Sequence, residues 1–354
     1  MADKEFDTKI EKAFGDGRDA SLMQTAGEII RSGGLVAIPT ETVYGLAGDA
    51  LNPDASRKIY EAKGRPSDNP LIVHIAQFEA LETIVAGIPE KARLLAEKYW
   101  PGPLTMIFKK SDRVPKETTG GLDTVAVRMP VNEIARNFIM AAGGYIAAPS
   151  ANASGRPSCT SAAHVYEDLK GKIPLIIDGG DVGIGLESTI VDMTGAIPVL
   201  LRPGYISYED LRSVFGDVKI DPNINGAEIK DDFKPKAPGM KYKHYAPKGE
   251  LYIVRGEKEA CIERINSECK VHMQKNETCA AICMETEVEK YIADVVSSLG
   301  NSYEDAAHNL FKSLREMDEK GIEYMYIRAF DSRGLGMALM NRLVRAAGHK
   351  VIEA

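Results

Sequence analysis

The chain has 354 residues, 44% hydrophobic and 27% charged, with 44 Lys and Arg against 51 Asp and Glu for a formal charge of -7. That length supplies material for about two domains, the composition is that of a soluble globular protein, and the acidic balance excludes a general nucleic-acid coat while leaving room for one local basic surface. The five cysteines, an odd number, fit reduced thiols in the cytosol better than a disulfide framework.

Residues 1–20 are polar and are expected to be frayed or helical. Their opening, Met1-Ala2-Asp3-Lys4-Glu5-Phe6-Asp7, lacks the apolar core of a secretion signal. No window approaches the roughly eighteen apolar residues of a membrane span, so a cytoplasmic chain without membrane contact is expected. Met23–Ser32 reads as a helix with Ala26, Ile29 and Ile30 on one face and Gly33-Gly34 as its stop. Leu35–Pro39 is a short run of strand type. Pro53–Lys63 is a second helix, with Ala55, Ile59 and Ala62 on one face and Gly64 at the cap. Leu71–Ile75 is a buried-type strand. Further strands are expected at Leu104–Phe108, Thr124–Arg128, Tyr145–Ala148, Leu175–Asp178, Ser188–Asp192 and Val199–Leu201, with helices near 79–99, 131–142 and 161–169. This irregular alternation predicts a mixed sheet in an α/β domain.

The composition changes near 215. Residues 217–248 are polar and hold Pro222, Pro235, Pro238 and Pro247, and from Phe233 to Lys248 there are five lysines and no acidic residue. This is the composition of a linker, unusually basic and aromatic. Beyond it, strands at Leu251–Val254, Thr278–Met284 and Tyr324–Ile327 with helices near 257–268, 287–299, 302–318 and 335–347 predict a smaller, Rossmann-like α/β domain. Cys279 and Cys283, a C-x-x-x-C pair without a matching second pair, read as buried strand thiols. The division is 1–216, 217–249 and 250–354.

The familiar nucleotide motifs are absent. No G-x-x-x-x-G-K-[ST] occurs, and the glycines of Gly180–Gly185 and Gly334-Leu335-Gly336 read as turns or caps. What stands out is cations and hydroxyls at strand ends. Lys63 and Arg65 flank a glycine past a helix, ahead of the rigid polar loop Pro66-Ser67-Asp68-Asn69-Pro70 and a strand carrying His74. Arg128 ends one strand, Ser150-Ala151-Asn152 follows another and leads to Ser158, Glu187-Ser188-Thr189 enters a third, and Arg202-Pro203-Gly204 closes a fourth. Helix-end neutralisation explains a lone basic residue, and turn chemistry explains Ser and Asn. Three arginines at strand ends go further, because α/β ligands gather there and the guanidinium fork matches phosphate and carboxylate. A concave site for a polyanion plus a small polar molecule follows. No Ser–His–Asp spacing or activated thiol appears, so chemistry there rests on positioning and charge stabilisation.

In order and spacing, Thr40-Glu41-Thr42-Val43-Tyr44-Gly45-Leu46, Lys63-Gly64-Arg65-Pro66, Pro149-Ser150-Ala151-Asn152, Glu187-Ser188-Thr189 and Leu201-Arg202-Pro203-Gly204 resemble the YrdC-like family. The linker Ala237-Pro238-Gly239-Met240-Lys241-Tyr242-Lys243-His244-Tyr245-Ala246-Pro247 is similar to that of its two-domain members, the threonylcarbamoyl-AMP synthases. The resemblance runs from about Ala26 onward. It implies a YrdC-like twisted mixed sheet forming a concave site, followed by the Rossmann-like domain.

It also implies a reaction: L-threonine, bicarbonate or CO2, and ATP with Mg2+ give threonylcarbamoyl-AMP and pyrophosphate, the product serving modification of the tRNA adenosine beside the anticodon. By matching positions, Thr42, His74, Arg128, Ala148 and Ser188 would line the threonine pocket. Lys63, Arg65, Asn69, Thr124, Ser150, Asn152, Ser158, Arg202 and Tyr245 would bind ATP, with Lys63 and Arg65 stabilising the leaving pyrophosphate and no protein metal ligand implied. Tyr242, His244 and Tyr245 would close over the nucleotide. Glu41 stands where aspartate is more usual, and Ala237 where serine is. The resemblance further implies a threonylcarbamoyl-transferase complex as recipient of the product. Direct tRNA contact stays open, and a monomer is expected. An RNA-binding module on the same concave face and a carbamoyl-transfer variant of the fold are the alternatives.

Overall fold

The computed structural model describes residues 5–225, 235–238 and 244–354. Gly239–Lys243, with Tyr242 among them, and the basic residue Lys234 lie outside the described residues. The strands of the first sheet are β1 (Lys9–Lys12), β2 (Val36–Ile38), β3 (Gly45–Asp49), β4 (Ile72–His74), β5 (Leu104–Lys109) and β6 (Thr124–Arg128). They continue with β7 (Ile146–Ala147), β8 (Leu175–Asp178), β9 (Thr189–Asp192), β10 (Val199–Arg202) and β11 (Lys219–Ile220). These form one eleven-stranded mixed sheet in the order β1-β8-β2-β3-β7-β4-β6-β5-β9-β10-β11.

The helices of this part are α1 (Ala20–Arg31), α2 (Pro53–Lys63), α3 (Leu81–Ile84), α4 (Glu90–Tyr99), α5 (Glu133–Ala141), α6 (Ala162–Leu169) and α7 (Tyr208–Phe215). Helix α2 shows how local chemistry sets the site. Asn52 caps the Asp54 N–H, Pro53 occupies the first turn and Gly64 ends the helix at φ 60, a left-handed conformation that costs glycine nothing. Its buried face, Ala55, Ser56, Ile59, Tyr60 and Lys63, carries the lysine into the interior while Arg65 turns away on the next loop. Apolar residues from β3, β4 and α2, including Leu46, Val73 and Ile59, share one core, and α1 and α5 bury Ala26, Ile30, Phe138 and Ile139 in another.

The second part holds β12 (Glu250–Arg255), α8 (Lys258–Gln274), β13 (Cys279–Cys283), β14 (Val295–Ser298), α9 (Tyr303–Glu319), β15 (Tyr324–Arg328), α10 (Gly334–Ala346) and β16 (Val351–Glu353). Its five strands run in the order β14-β13-β15-β12-β16, and every pairing is parallel. All five cysteines are free and buried. Among the described residues no helix is long and apolar enough to cross a membrane.

Four expectations are corrected. Residues 1–20 hold a strand as well as a helix start: β1 pairs in parallel with β8, bonding through its backbone while its side chains stay exposed. The helix expected at 79–99 is two helices, because Pro89 disfavours helical backbone at Ile88 and α4 starts after it. The helix expected at 287–299 is a 3-10 turn, Glu285–Lys290, followed by β14, where Val295 and Val296 suit a strand better than a helix. The first sheet also runs past 216, since β11 pairs with β10.

Candidate active site

The strand ends of the first sheet and the linker enclose a recess. Its lining includes Thr42, Lys63, Arg65, His74, Arg128, Ala148, Ser150, Asn152, Ser188, Arg202 and Tyr245, eleven of the fourteen residues singled out from sequence. The other three are not in its lining. Asn69 is buried, with its Oδ1 unpartnered. Thr124 starts β6 opposite Lys109. Ser158 is fully buried and gives its hydroxyl hydrogen to Glu187 Oε1 at 2.5 Å.

On one side Thr40 organises the loop into β3. Its hydroxyl oxygen accepts from the Thr42 and Val43 N–H groups at 3.1 and 3.3 Å, a hydroxyl-backed turn. Thr42 Oγ1 accepts from Arg128 Nη1 at 2.7 Å. The opposite arm of that guanidinium, Nη2, lies 2.6 Å from Glu41 Oε1, a charge contact without the alignment of a hydrogen bond. His74 is held beside Arg128 across β4 and β6. Its Nδ1 is 3.1 Å from the Ile72 carbonyl, and a carbonyl only accepts, so Nδ1 carries the proton and Nε2 is left as an acceptor. Burial, then the Arg128 charge, pushes the His74 pKa down to about 3, so the ring is neutral at physiological pH.

On the other side Lys63 Nζ donates to the Ser150 carbonyl at 2.5 Å and to the Asn152 carbonyl. Burial, followed by the Arg65 charge, pushes its pKa down to about 7. Arg65 donates to the Asn69 and Pro70 carbonyls at 3.3 and 3.1 Å. Arg202 binds Ser188 twice, Nε to the carbonyl at 3.0 Å and Nη2 to Oγ at 3.1 Å, and Ser188 Oγ also meets Thr105 Oγ1 at 2.7 Å. Burial pushes the Arg202 pKa down to about 10. Gly204 permits this closure, since a Cβ there would stand 2.5 Å from the Thr189 nitrogen.

Ser154, Gly155 and Glu187 belong to the polar runs at the strand ends and were given no ligand role from the sequence, yet all three face the recess. The linker supplies Pro238, His244 and Tyr245 to the lining. Tyr245 stands at φ 66, a left-handed conformation that costs a non-glycine residue about 1–3 kcal/mol. Its ring packs on Phe311 of α9 at 5.1 Å, and Ala246 N–H donates to the Gly155 carbonyl at 2.8 Å. With these residues in place the space left free is about 50 Å³.

The arrangement therefore offers two chemistries side by side. One is a small polar subsite with a guanidinium, an imidazole acceptor and hydroxyls. The other is a cation-rich subsite suited to phosphates. Among the described residues no group of three or more His, Cys, Asp and Glu is placed to hold a metal ion.

Residues 28–204 match the Sua5, YciO and YrdC family model, described as telomere recombination, and residues 206–348 match that of the threonylcarbamoyl-AMP synthase C-terminal domain. A threonylcarbamoyl-AMP synthase of Pyrococcus abyssi is 48% identical over 331 residues, 94% of this chain and 95% of the relative. Another, of Bacillus subtilis, is 45% identical over 338 residues and covers 95% of each chain. The crystal structure of Pyrococcus abyssi Sua5 complexed with L-threonine is similar at a TM-score of 0.92 and 46% identity, covering 98% of this chain and 99% of that one. Escherichia coli YciO is similar to the first part, with a TM-score of 0.51 and 26% identity over 56% of this chain and 96% of its own.

Proposed function

The chain belongs to the Sua5, YciO and YrdC family, in its two-domain form with the threonylcarbamoyl-AMP synthase C-terminal domain, and from that premise we propose how the recess works. It synthesises L-threonylcarbamoyl-AMP, a nucleotidyl transfer in the threonylcarbamoyladenosine branch of tRNA modification. The observation that supports the division of labour is the pairing of the Arg128, His74, Thr42 and Ser188 subsite with the Lys63, Arg65 and Arg202 subsite in one recess.

Arg128 takes the threonine carboxylate in its planar fork. His74 Nε2 accepts a hydrogen from the amine or the side-chain hydroxyl. With a conjugate acid as strong as that of His74, the ring orients the amine and does not keep its proton. The neutral amine attacks bicarbonate, giving the carbamate and water. A carbamate oxygen then attacks the α-phosphorus of ATP as the bond to the β-phosphate oxygen breaks and pyrophosphate leaves. Lys63, Arg65 and Arg202 stabilise the charge on that leaving group, an electrostatic role that needs no enzyme nucleophile. Ser150 and Asn152 complete the nucleotide side, while Asn69, Thr124 and Ser158, assigned to ATP from the sequence, are not in the lining. Mg2+ enters with the substrate, carried on the phosphate oxygens of ATP.

Nucleotide pockets measure about 300–1,000 Å³, far more than the roughly 50 Å³ left beneath the linker. Tyr245 and His244 therefore withdraw to admit ATP and return to keep water from the mixed anhydride. The product passes to a threonylcarbamoyl-transferase complex, and the protein acts as a monomer in the cytoplasm, a compartment that suits five free thiols. Similarity to synthases over 94–95% of the chain does not favour the RNA-binding or carbamoyl-transfer alternatives. The test is pyrophosphate release from Mg-ATP with threonine or bicarbonate withheld in turn. Release only when both are present is expected; release indifferent to threonine would overturn the substrate assignment.

The lowered Lys63 pKa makes a second prediction. At pH 8 the free site holds Lys63 mostly neutral, because its pKa is about 7. A bound triphosphate favours the ammonium form, so Mg-ATP binding takes up a proton at pH 8, and kcat/KM for ATP falls as pH rises through about 7. Calorimetry of ATP binding in two buffers of different ionisation enthalpy measures the uptake. Lys63→Met is expected to abolish it, and equal heats in both buffers for the unaltered protein would refute the assignment.

A further inference from the structure

Two arginines of the second part are completely buried against the first: Arg315 of α9 and Arg342 of α10. Arg315 anchors α9 to α6. Arg342 does something more specific. Its Nε donates to Glu187 Oε2 at 2.9 Å, its Nη2 to the Glu187 carbonyl at 3.1 Å, and its Nη1 to the Pro203 carbonyl. Glu187 is the residue before Ser188, and Pro203 the residue after Arg202. One guanidinium therefore ties together the two loops that bring Ser188 and Arg202 to the recess.

Glu187 itself is the one carboxylate among the described residues that line the recess. Its second oxygen takes the hydrogen of Ser158. An uncompensated carboxylate here would repel both a triphosphate and an amino-acid carboxylate. The Arg342 charge cancels it from the side away from the substrates, and the fork fixes its rotamer.

We propose that Arg342, contributed by the C-terminal domain, is a positioning residue of the catalytic site. It orients and neutralises Glu187, and through Glu187 it sets the Ser188 peptide for substrate binding. The inference rests on the synthase reading, and the two are separable: failure of that reading shows in the unaltered protein as pyrophosphate release that ignores threonine, whatever Arg342 does.

The experiment measures kcat and KM for ATP and for L-threonine in the full chain, well below the Tm of each variant. Arg342→Gln is expected to raise both KM values about tenfold or more, with a smaller change in kcat. Adding Glu187→Gln to it removes the uncancelled charge and is expected to bring KM for ATP back to within about threefold of the starting value, a recovery that lost packing alone would not produce. Leu343→Ala, a buried core truncation in the same helix, is the stability control: it is expected to lower Tm and leave both KM values unchanged. KM values within about twofold of the unaltered protein in Arg342→Gln would overturn the proposal, as would equal rises in Leu343→Ala or no recovery in the double variant. If Arg342→Gln does not fold, Arg342→Lys, which keeps the charge and loses the fork, is read instead. A KM for threonine raised about threefold or more supports the proposal, and an unchanged one refutes it.

Discussion

Replacing Arg128 by glutamine is expected to lower kcat/KM for L-threonine by about 10²–10³-fold, with the loss mainly in KM. The guanidinium is 4% exposed and is the cation of the small subsite, touching Thr42 and Glu41. Removing one partner of a buried charge pair costs about 2–5 kcal/mol, and each 1.4 kcal/mol is about tenfold. The variant loses twice over, because the largely buried Glu41 carboxylate behind Arg128 then lacks its counter-charge. Arg128→Lys should recover little, since an ammonium cannot reproduce a planar fork held by Thr42 on one arm. Adding Glu41→Gln to Arg128→Gln should recover part of the loss by removing that uncompensated charge. Steady-state kinetics with threonine varied at saturating ATP and bicarbonate measure all three. An unchanged KM in Arg128→Gln would place the threonine carboxylate elsewhere.

The largest expected loss of stability is in Arg315→Ala. This side chain donates to Asp168 Oδ2 at 2.9 Å, to the Pro157 carbonyl at 2.6 Å and to Cys159 Sγ at 3.3 Å. Arg315 and Asp168 are 1% and 0% exposed, so the truncation strands a buried carboxylate, for which about 3–5 kcal/mol is typical. Arg156 and the Ala153 N–H remain beside Asp168 and hold the loss toward the lower end. Burial alone would raise the Asp168 pKa, yet hydrogen bonding and charge from Arg315 bring it below the usual carboxylate range. The stability from this pair is therefore present above the unfolded pKa of about 3.9 and disappears as pH falls through the lower folded value. Urea denaturation of both proteins at pH 7 should show the full difference, and the gap should narrow below about pH 4. A gap independent of pH would mean that packing, not charge, dominates.

How much was legible in the sequence depended on whether the signal was local. Helix α2 was legible to the residue, since Pro53 and Gly64 mark its ends by backbone chemistry alone. So was the exit of Arg128 from an apolar strand into Met129-Pro130. The break between α3 and α4 was also written locally, in Gly87-Ile88-Pro89, and was masked by an apolar pattern that suits one long helix. Strand β1 was not legible, because a polar edge strand is recognised by its partner's backbone and not by its own side chains. The role of Glu187 was out of reach for the same kind of reason. Its motif placed it near the site, but the arginine that decides its charge lies 155 residues away, and no periodicity links the two.

The position of β1 has a consequence in time. Lys9 pairs with Leu175, so during synthesis β1 must wait for a partner 166 residues behind it, the difference of those two numbers. At a synthesis rate of about 5–20 residues per second that interval is roughly 10–30 s. Until then the strand is a polar tether with nothing to bind, which suits it to waiting: four exposed side chains, two of them lysines, keep it from adhering to another nascent chain. The sheet thus closes its β1 edge after most of its interior strands have been made.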